Sequence, residues 1–125
     1  MGATGATVPS DMARLPGTAE VPGWAWGPGL VSVTRRGDEL SIVCAEGRVP
    51  VEVRAERAFR ALEVQGPIPF EVVGVLRALA VPLGEAGISI FAIATYDTDV
   101  ILVREADLVR AAEALRGAGH EVEGV

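Results

Sequence analysis

Along the second half of this chain the apolar positions switch between two spacings, and the switches mark out the elements. Residues 59–64 form an apolar, strand-like run stopped by Gly66 and Pro67. Across residues 70–86, Val72, Val75, Leu76, Leu79 and Leu83 return every three or four positions, whereas Glu71, Arg77 and Glu85 fall elsewhere. That spacing predicts a helix with one buried stripe. Pro82 interrupts it by removing one backbone donor, and Gly87 closes it in the left-handed conformation. Two β-rich apolar runs follow, 88–95 and 100–104, separated by a short polar turn, which predicts a hairpin. Leu108, Ala111, Ala112 and Leu115 share one face of a second helix over about residues 106–116, ended by Gly117 and Gly119. Residues 120–125 read as a last strand.

The resulting strand-helix-strand-strand-helix-strand order predicts an α+β fold, the ferredoxin-like sandwich, with an antiparallel sheet and both helices on one face. The first half echoes the second at an offset of 60 positions: Leu30-Val31-Ser32-Val33 falls on Ile90-Phe91-Ala92-Ile93, Leu40-Ser41-Ile42-Val43 on Val100-Ile101-Leu102-Val103, and Glu39 on Asp99. Residues 46–57 fall on the second helix, although Pro50 argues against a full-length helix there. Ahead of Leu30 the echo fades. Pro9, Pro16, Pro22 and Pro28 with several glycines predict extended coil in place of the first helix. The expectation is therefore two tandem units, a degenerate one over 1–64 and a complete one over 58–125, sharing the strand 59–64.

Composition narrows the function. The chain has 125 residues, half of them apolar, enough for a sizeable core, and a net charge of −6. An acidic surface repels phosphate backbones and anionic lipid, so nucleic-acid and membrane partners are not expected. No run reaches the roughly twenty apolar residues of a membrane span, and the first residues lack the blocks of a signal peptide, so the expected location is the cytoplasm. The lone Cys44 allows no disulfide or cysteine metal cage within the chain and reads as a small buried hydrophobe. The lone His120 has no nucleophile motif around it, and the chain contains no Gly-x-Ser-x-Gly elbow, P-loop or dinucleotide fingerprint. No catalytic residue, cofactor or metal is expected.

The densest polar cluster is the predicted hairpin turn. Tyr96, Asp97, Thr98 and Asp99, preceded by Thr95, offer two carboxylates, a phenol and hydroxyls with which a ligand amine could be read. Asp and Thr also serve hairpin turns by bonding their own backbone, and the sequence leaves both readings open. A second candidate is the loop Gly66-Pro67-Ile68-Pro69-Phe70. A helix starting near Pro69 or Phe70 has no side-chain oxygen before it to cap its first N–H groups, which leaves them to water or to a carboxylate. If the acidic turn of a packed neighbour faced this loop, one end would take an ammonium and the other a carboxylate. A free amino acid carries both.

The loop Gly-Pro-Ile-Pro-Phe before Gly74-Val75-Leu76, and above all Glu85-Ala86-Gly87-Ile88-Ser89-Ile90-Phe91-Ala92-Ile93 followed by Thr95-Tyr96-Asp97-Thr98-Asp99, resemble ACT domains. More narrowly, with Trp24-Ala25-Trp26 and Asp38-Glu39-Leu40-Ser41-Ile42-Val43-Cys44, the chain is similar to small bacterial tandem-ACT proteins related to aspartate kinase regulatory domains and the CASTOR arginine sensor. The resemblance covers about residues 14–125. It implies a non-catalytic regulatory protein, commonly a homodimer, that binds an amino acid or similar metabolite between ACT units. Carried over by position, Gly66, Pro67, Ile68 and Phe70 would form the carboxylate end and Thr95, Tyr96, Asp97, Thr98 and Asp99 the polar wall. Ser41 and Ile42 would belong to the first unit's counterpart. Ala94 and Val100 depart from the subfamily's pattern of a serine and an aromatic residue, and they motivate the alternative, a protein-interaction module of the same fold without a ligand.

Overall fold

The computed structural model describes residues 1–69 and 73–125. By contacts the chain divides into two units, one built from Met1–Thr7 and Arg60–Val125 and the other from Val8–Phe59. The first seven residues thus group with the C-terminal part, a boundary that differs from the tandem division drawn from the sequence.

In the unit of residues 8–59 the strands are β2 (Ser10–Pro16), β3 (Ser32–Arg36), β4 (Glu39–Ala45) and the first half of β5 (Ala55–Val64), in the order β3-β4-β2-β5. All three pairings are antiparallel. This is the ferredoxin-like strand order with neither helix. Two proline-containing straps cover the sheet instead: Ala25, within a 3-10 turn at Gly23–Ala25, and Val49 are buried against Ala13, Leu40, Ile42 and Cys44, with Trp24 and Val53 packed beside them. The extended coil expected before Leu30 is therefore corrected for residues 10–16, which are a strand. Its alternation of Met12, Ala13, Arg14 and Leu15 is too short and too mixed to stand out against the prolines around it.

Near the start of β2, Asp11 is 3% exposed and bound on two sides. It accepts the Ala58 N–H at 3.0 Å and an Arg57 N–H at 3.4 Å. The register between β2 and β5 slips here, and Ala58 sits at a φ of 63°, an unusual conformation for a residue with a Cβ. The same Arg57 guanidinium donates to the carbonyls of Val49, Pro50 and Val53, tying the second strap down.

In the other unit β5 continues through Val64. It is followed by α1 (Val75–Glu85), the hairpin of β6 (Ile90–Ala94) and β7 (Asp99–Arg104), α2 (Leu108–Gly117) and β8 (Glu121–Glu123). The helices bury Val75, Leu79 and Leu83 from α1 and Leu108, Ala111, Ala112 and Leu115 from α2 in one cluster with Leu62, Val64, Ile101, Val103 and Val122. Both helices therefore cover the same face of the sheet, as expected. Each helix ends in a six-residue hydrogen-bonded closure around a left-handed glycine. Gly87 and Ile88 donate back to Gly84 and Leu83, and Gly119 and His120 donate back to Arg116 and Leu115.

Three expectations are corrected in this unit. First, α1 begins at Val75 rather than near residue 70, because Gly74 precedes it with a φ of 82° and breaks the helical path; of the expected span, Phe70, Glu71 and Val72 lie outside the described residues. Second, Leu76 is exposed, so the buried stripe is carried by Val75, Leu79 and Leu83 at intervals of four. Third, the sheet holds a strand that the pattern did not announce. Residues Gly2–Gly5 form β1, antiparallel to β5 with Ala3 opposite Val64, and parallel to β8 with Ala3 opposite Val122. The last strand is correspondingly short, and His120 stays outside it. Among the described residues, no helix is long and apolar enough to cross a membrane.

Candidate functional site

Beyond β5 the chain turns through a cis Gly66–Pro67 bond, and the Ile68 N–H donates to the Asp97 carbonyl at 2.7 Å. A Cβ on Gly66 would stand 2.9 Å from that carbonyl oxygen and 3.1 Å from the Thr98 Cβ, so glycine is required for the loop to lie against the turn. The two sequence-predicted candidates are therefore neighbours within one unit, and the loop meets a turn of its own unit where the sequence reading had invoked a packed neighbour.

The turn is held from inside. Ala94 pairs with Asp99, and the Thr95 N–H donates to the Thr98 carbonyl at 2.8 Å. The Thr95 hydroxyl donates to that same carbonyl at 3.0 Å and accepts the Thr98 N–H at 3.2 Å. The Thr98 hydroxyl donates to the Val64 carbonyl at 2.7 Å, fastening the turn to β5. Both threonines thus carry out the backbone-bonding role, which fixes the shape of the turn.

Between loop and turn lies a hollow of about 210 Å³. Ile68, Pro69, Val75 and Ala94 give it an apolar wall; Thr95, Thr98 and Asp99 give it a polar one, and Tyr96 stands at its edge with its side chain wholly exposed. Of the predicted residues, Ile68, Thr95, Tyr96, Thr98 and Asp99 come together here. Gly66 and Asp97 shape the site through the backbone contact rather than by lining it, Pro67 links them to Ile68, and Phe70 lies outside the described residues. Val75 was missed as a site residue, and Ala94 entered the sequence reading only as a departure from the family's pattern. Ala94 could have been found as the partner of Asp99 across a four-residue turn, whereas Val75 depends on where α1 begins. Among the described residues no side chain caps its start at Gly74, which lies five residues beyond the helix start expected near Pro69, and Val75 follows it in the lining of the hollow.

Ser41 and Ile42 are not brought together. Ser41 lines a separate hollow of about 190 Å³ in the unit of residues 8–59, among Arg14, Glu39, Arg54 and Glu56, whereas Ile42 is fully buried in that unit's core. Cys44 is also buried there. Burial pushes its thiol pKa above the ordinary value, with Asp11 adding to the rise and Arg48 opposing it. Above about pH 9 the unfolded thiol ionises while the folded one keeps its proton, so the unfolded chain binds fewer protons and stability falls. Urea unfolding should therefore show wild type losing more stability than Cys44→Ala between pH 8 and 10; equal losses would show that the thiol does not titrate differently on unfolding.

The unit that includes residues 60–125 is thus a helix-covered α+β sandwich with a small hollow where a hairpin turn meets the loop after β5. Comparison with known proteins makes the family explicit. Residues 54–117 match the sequence profile of the ACT domain, and residues 11–52 match a second profile described as an N-terminal domain. The chain belongs to the ACT-domain family. An Agobacterium tumefaciens protein of known crystal structure is similar at 38% identity over 99% of this chain and 92% of its own, with a TM-score of 0.94. A Vibrio cholerae protein of unknown function shares 22% identity over 93% of this chain and 89% of its own, with a TM-score of 0.70. The regulatory subunit of aspartate kinase from Thermus flavus shares the fold at 11% identity, over 95% of this chain and 97% of its own, with a TM-score of 0.65. No curated protein matches the chain significantly.

Proposed function

We propose that this chain is a non-catalytic regulatory module that binds a free amino acid, or a metabolite of similar size and charge, in the hollow between Ile68 and the 95–99 turn. The observation that carries this reading is the composition of that hollow. Asp99 contributes a carboxylate to its lining, and Val75, also in the lining, opens α1, whose first N–H groups and positive end favour an anion. An ammonium suits the first and a carboxylate the second, while Ile68, Pro69, Val75 and Ala94 leave room for a compact apolar side chain. Membership of the ACT family and the likeness to an aspartate kinase regulatory subunit support a regulatory role. Among the described lining residues, both threonine hydroxyls are engaged with backbone, which suits them to shaping the site.

We read the two units as a tandem pair and the working assembly as a homodimer. Strand β6 supports the latter: among the described residues its strand pairing is with β7, and its residues Ile90-Phe91-Ala92-Ile93-Ala94 include neither charge nor proline to protect an edge. The test is a thermal-shift screen of the free amino acids one at a time, with sedimentation of the same samples. At least one is expected to raise Tm, since ligand at 100-fold above Kd adds about 2.7 kcal/mol. Asp99→Asn should weaken that response at least tenfold in ligand concentration while leaving the ligand-free Tm within about 2 °C, and the sample should sediment as a dimer. A flat response to every amino acid, or a response that Asp99→Asn leaves intact, would overturn the binding reading. The fully exposed Tyr96 ring would then favour the second reading, an ACT-fold module that docks a protein partner.

A further inference from the structure

Helix α1 contains a defect that a residue far away in the chain repairs. In an α-helix the carbonyl of residue 78 accepts the N–H of residue 82, but residue 82 is proline and has none. The Ala78 carbonyl is met instead by His120, whose Nε2 lies 3.0 Å from it. A carbonyl only accepts, so Nε2 must carry a proton, and in the neutral ring that leaves Nδ1 as the bare nitrogen. Consistent with that tautomer, Nδ1 is buried and has no hydrogen-bond partner among the described residues. His120 is placed for this contact by the closure of α2, where its own N–H is bonded to the Leu115 carbonyl at 3.0 Å.

The repaired residue sits next to the candidate site. Ala78 closes the first turn of α1 through its N–H, which donates to Gly74 at 2.9 Å, and it receives His120 through its carbonyl. Gly74 is the residue before Val75, and Val75 forms part of the wall of the 210 Å³ hollow. We propose that His120 is a positioning residue for the hollow: it supplies the donor that Pro82 cannot, and so fixes the first turn of α1, and Val75 with it, from the end of α2. The proposal deepens the reading of the hollow as a binding site, but it rests on the geometry of α1 and is tested without any ligand.

Three measurements on the full chain decide it. Nitrogen-15 NMR of the imidazole should show the Nε2-protonated tautomer; a ring protonated at Nδ1 alone would overturn the proposal before any substitution is made. His120→Ala should lower Tm by about 3–6 °C in the wild-type background and by less than half as much in a Pro82→Ala background, where residue 82 regains an N–H for the Ala78 carbonyl. Equal losses in both backgrounds would show that His120 does not stand in for the missing donor. His120→Gln, which keeps a donor, should recover part of the stability. Carbon-13 methyl shifts of Val75 should move in His120→Ala and return toward wild type in the double variant; a Val75 signal unchanged in His120→Ala would refute the link to the hollow.

Discussion

Replacing Asp11 with alanine is expected to destabilise the protein by about 1–3 kcal/mol, the cost of leaving a buried hydrogen-bonding group without its partner. The carboxylate is almost fully buried and is an acceptor for both the Ala58 N–H and the Arg57 guanidinium. Without it, a backbone donor at a left-handed alanine and one arm of a partly buried arginine are left without that acceptor. The effect should spread to the second strap, because the same guanidinium holds the carbonyls of Val49, Pro50 and Val53. Asp11→Asn keeps one acceptor and should cost less. Both tryptophans, Trp24 and Trp26, belong to the unit of residues 8–59, so urea unfolding followed by tryptophan fluorescence reads this region directly. A loss below about 0.5 kcal/mol, the scale of an ordinary surface substitution, would show that the carboxylate is not holding the slipped register.

Leu83→Ala is expected to cost about 3 kcal/mol, within the range for truncating a fully buried leucine. Leu83 is 0% exposed, packs in the cluster that both helices share, and offers the carbonyl that the Ile88 N–H uses to close α1. The informative control is Leu76→Ala. Leu76 lies on the same helix and the sequence spacing puts it on the same stripe, yet it is exposed, so its truncation should change stability by no more than about 0.5 kcal/mol. Both α-helices lie in the unit that includes residues 60–125, which makes helical circular dichroism at 222 nm the appropriate signal. Similar losses from the two substitutions would place the buried stripe of α1 differently.

Much of the candidate site could be read from the chain, for a reason that particular residues make clear. Thr95, Thr98 and Asp99 lie within five consecutive residues, and a short polar run between two β-rich apolar runs reads as the end of a hairpin. Ile68 belongs to a loop bounded by glycine and proline, whose position between a strand and a helix follows from the periods on either side. The distance between loop and turn was another matter. It depends on the Ile68 N–H reaching the Asp97 carbonyl and on Gly66 being small enough to allow it, and neither residue carries a pattern that names its partner. Ser41 and Ile42 show the limit of arguing by offset: adjacent strand residues point to opposite faces, so one lines a hollow and the other fills the core.

By itself the sequence determined what a single element can encode about its own burial. The four-residue interval of Leu79 and Leu83, the face shared by Leu108, Ala111, Ala112 and Leu115, the hairpin arms, and the glycines closing each helix were all written locally, and together they sufficed for the fold class. Only the tertiary structure decided which distant segments complete one another's hydrogen bonding. The Gly2–Gly5 strand entered the sheet between β5 and β8, Asp11 met Ala58 across a slipped register, and His120 met the carbonyl that Pro82 had left without a donor. Periodicity reports which side of an element faces apolar neighbours. It has no term for a lone donor or acceptor whose partner comes from another part of the chain, and that pairing is settled when packing brings the two groups together out of water.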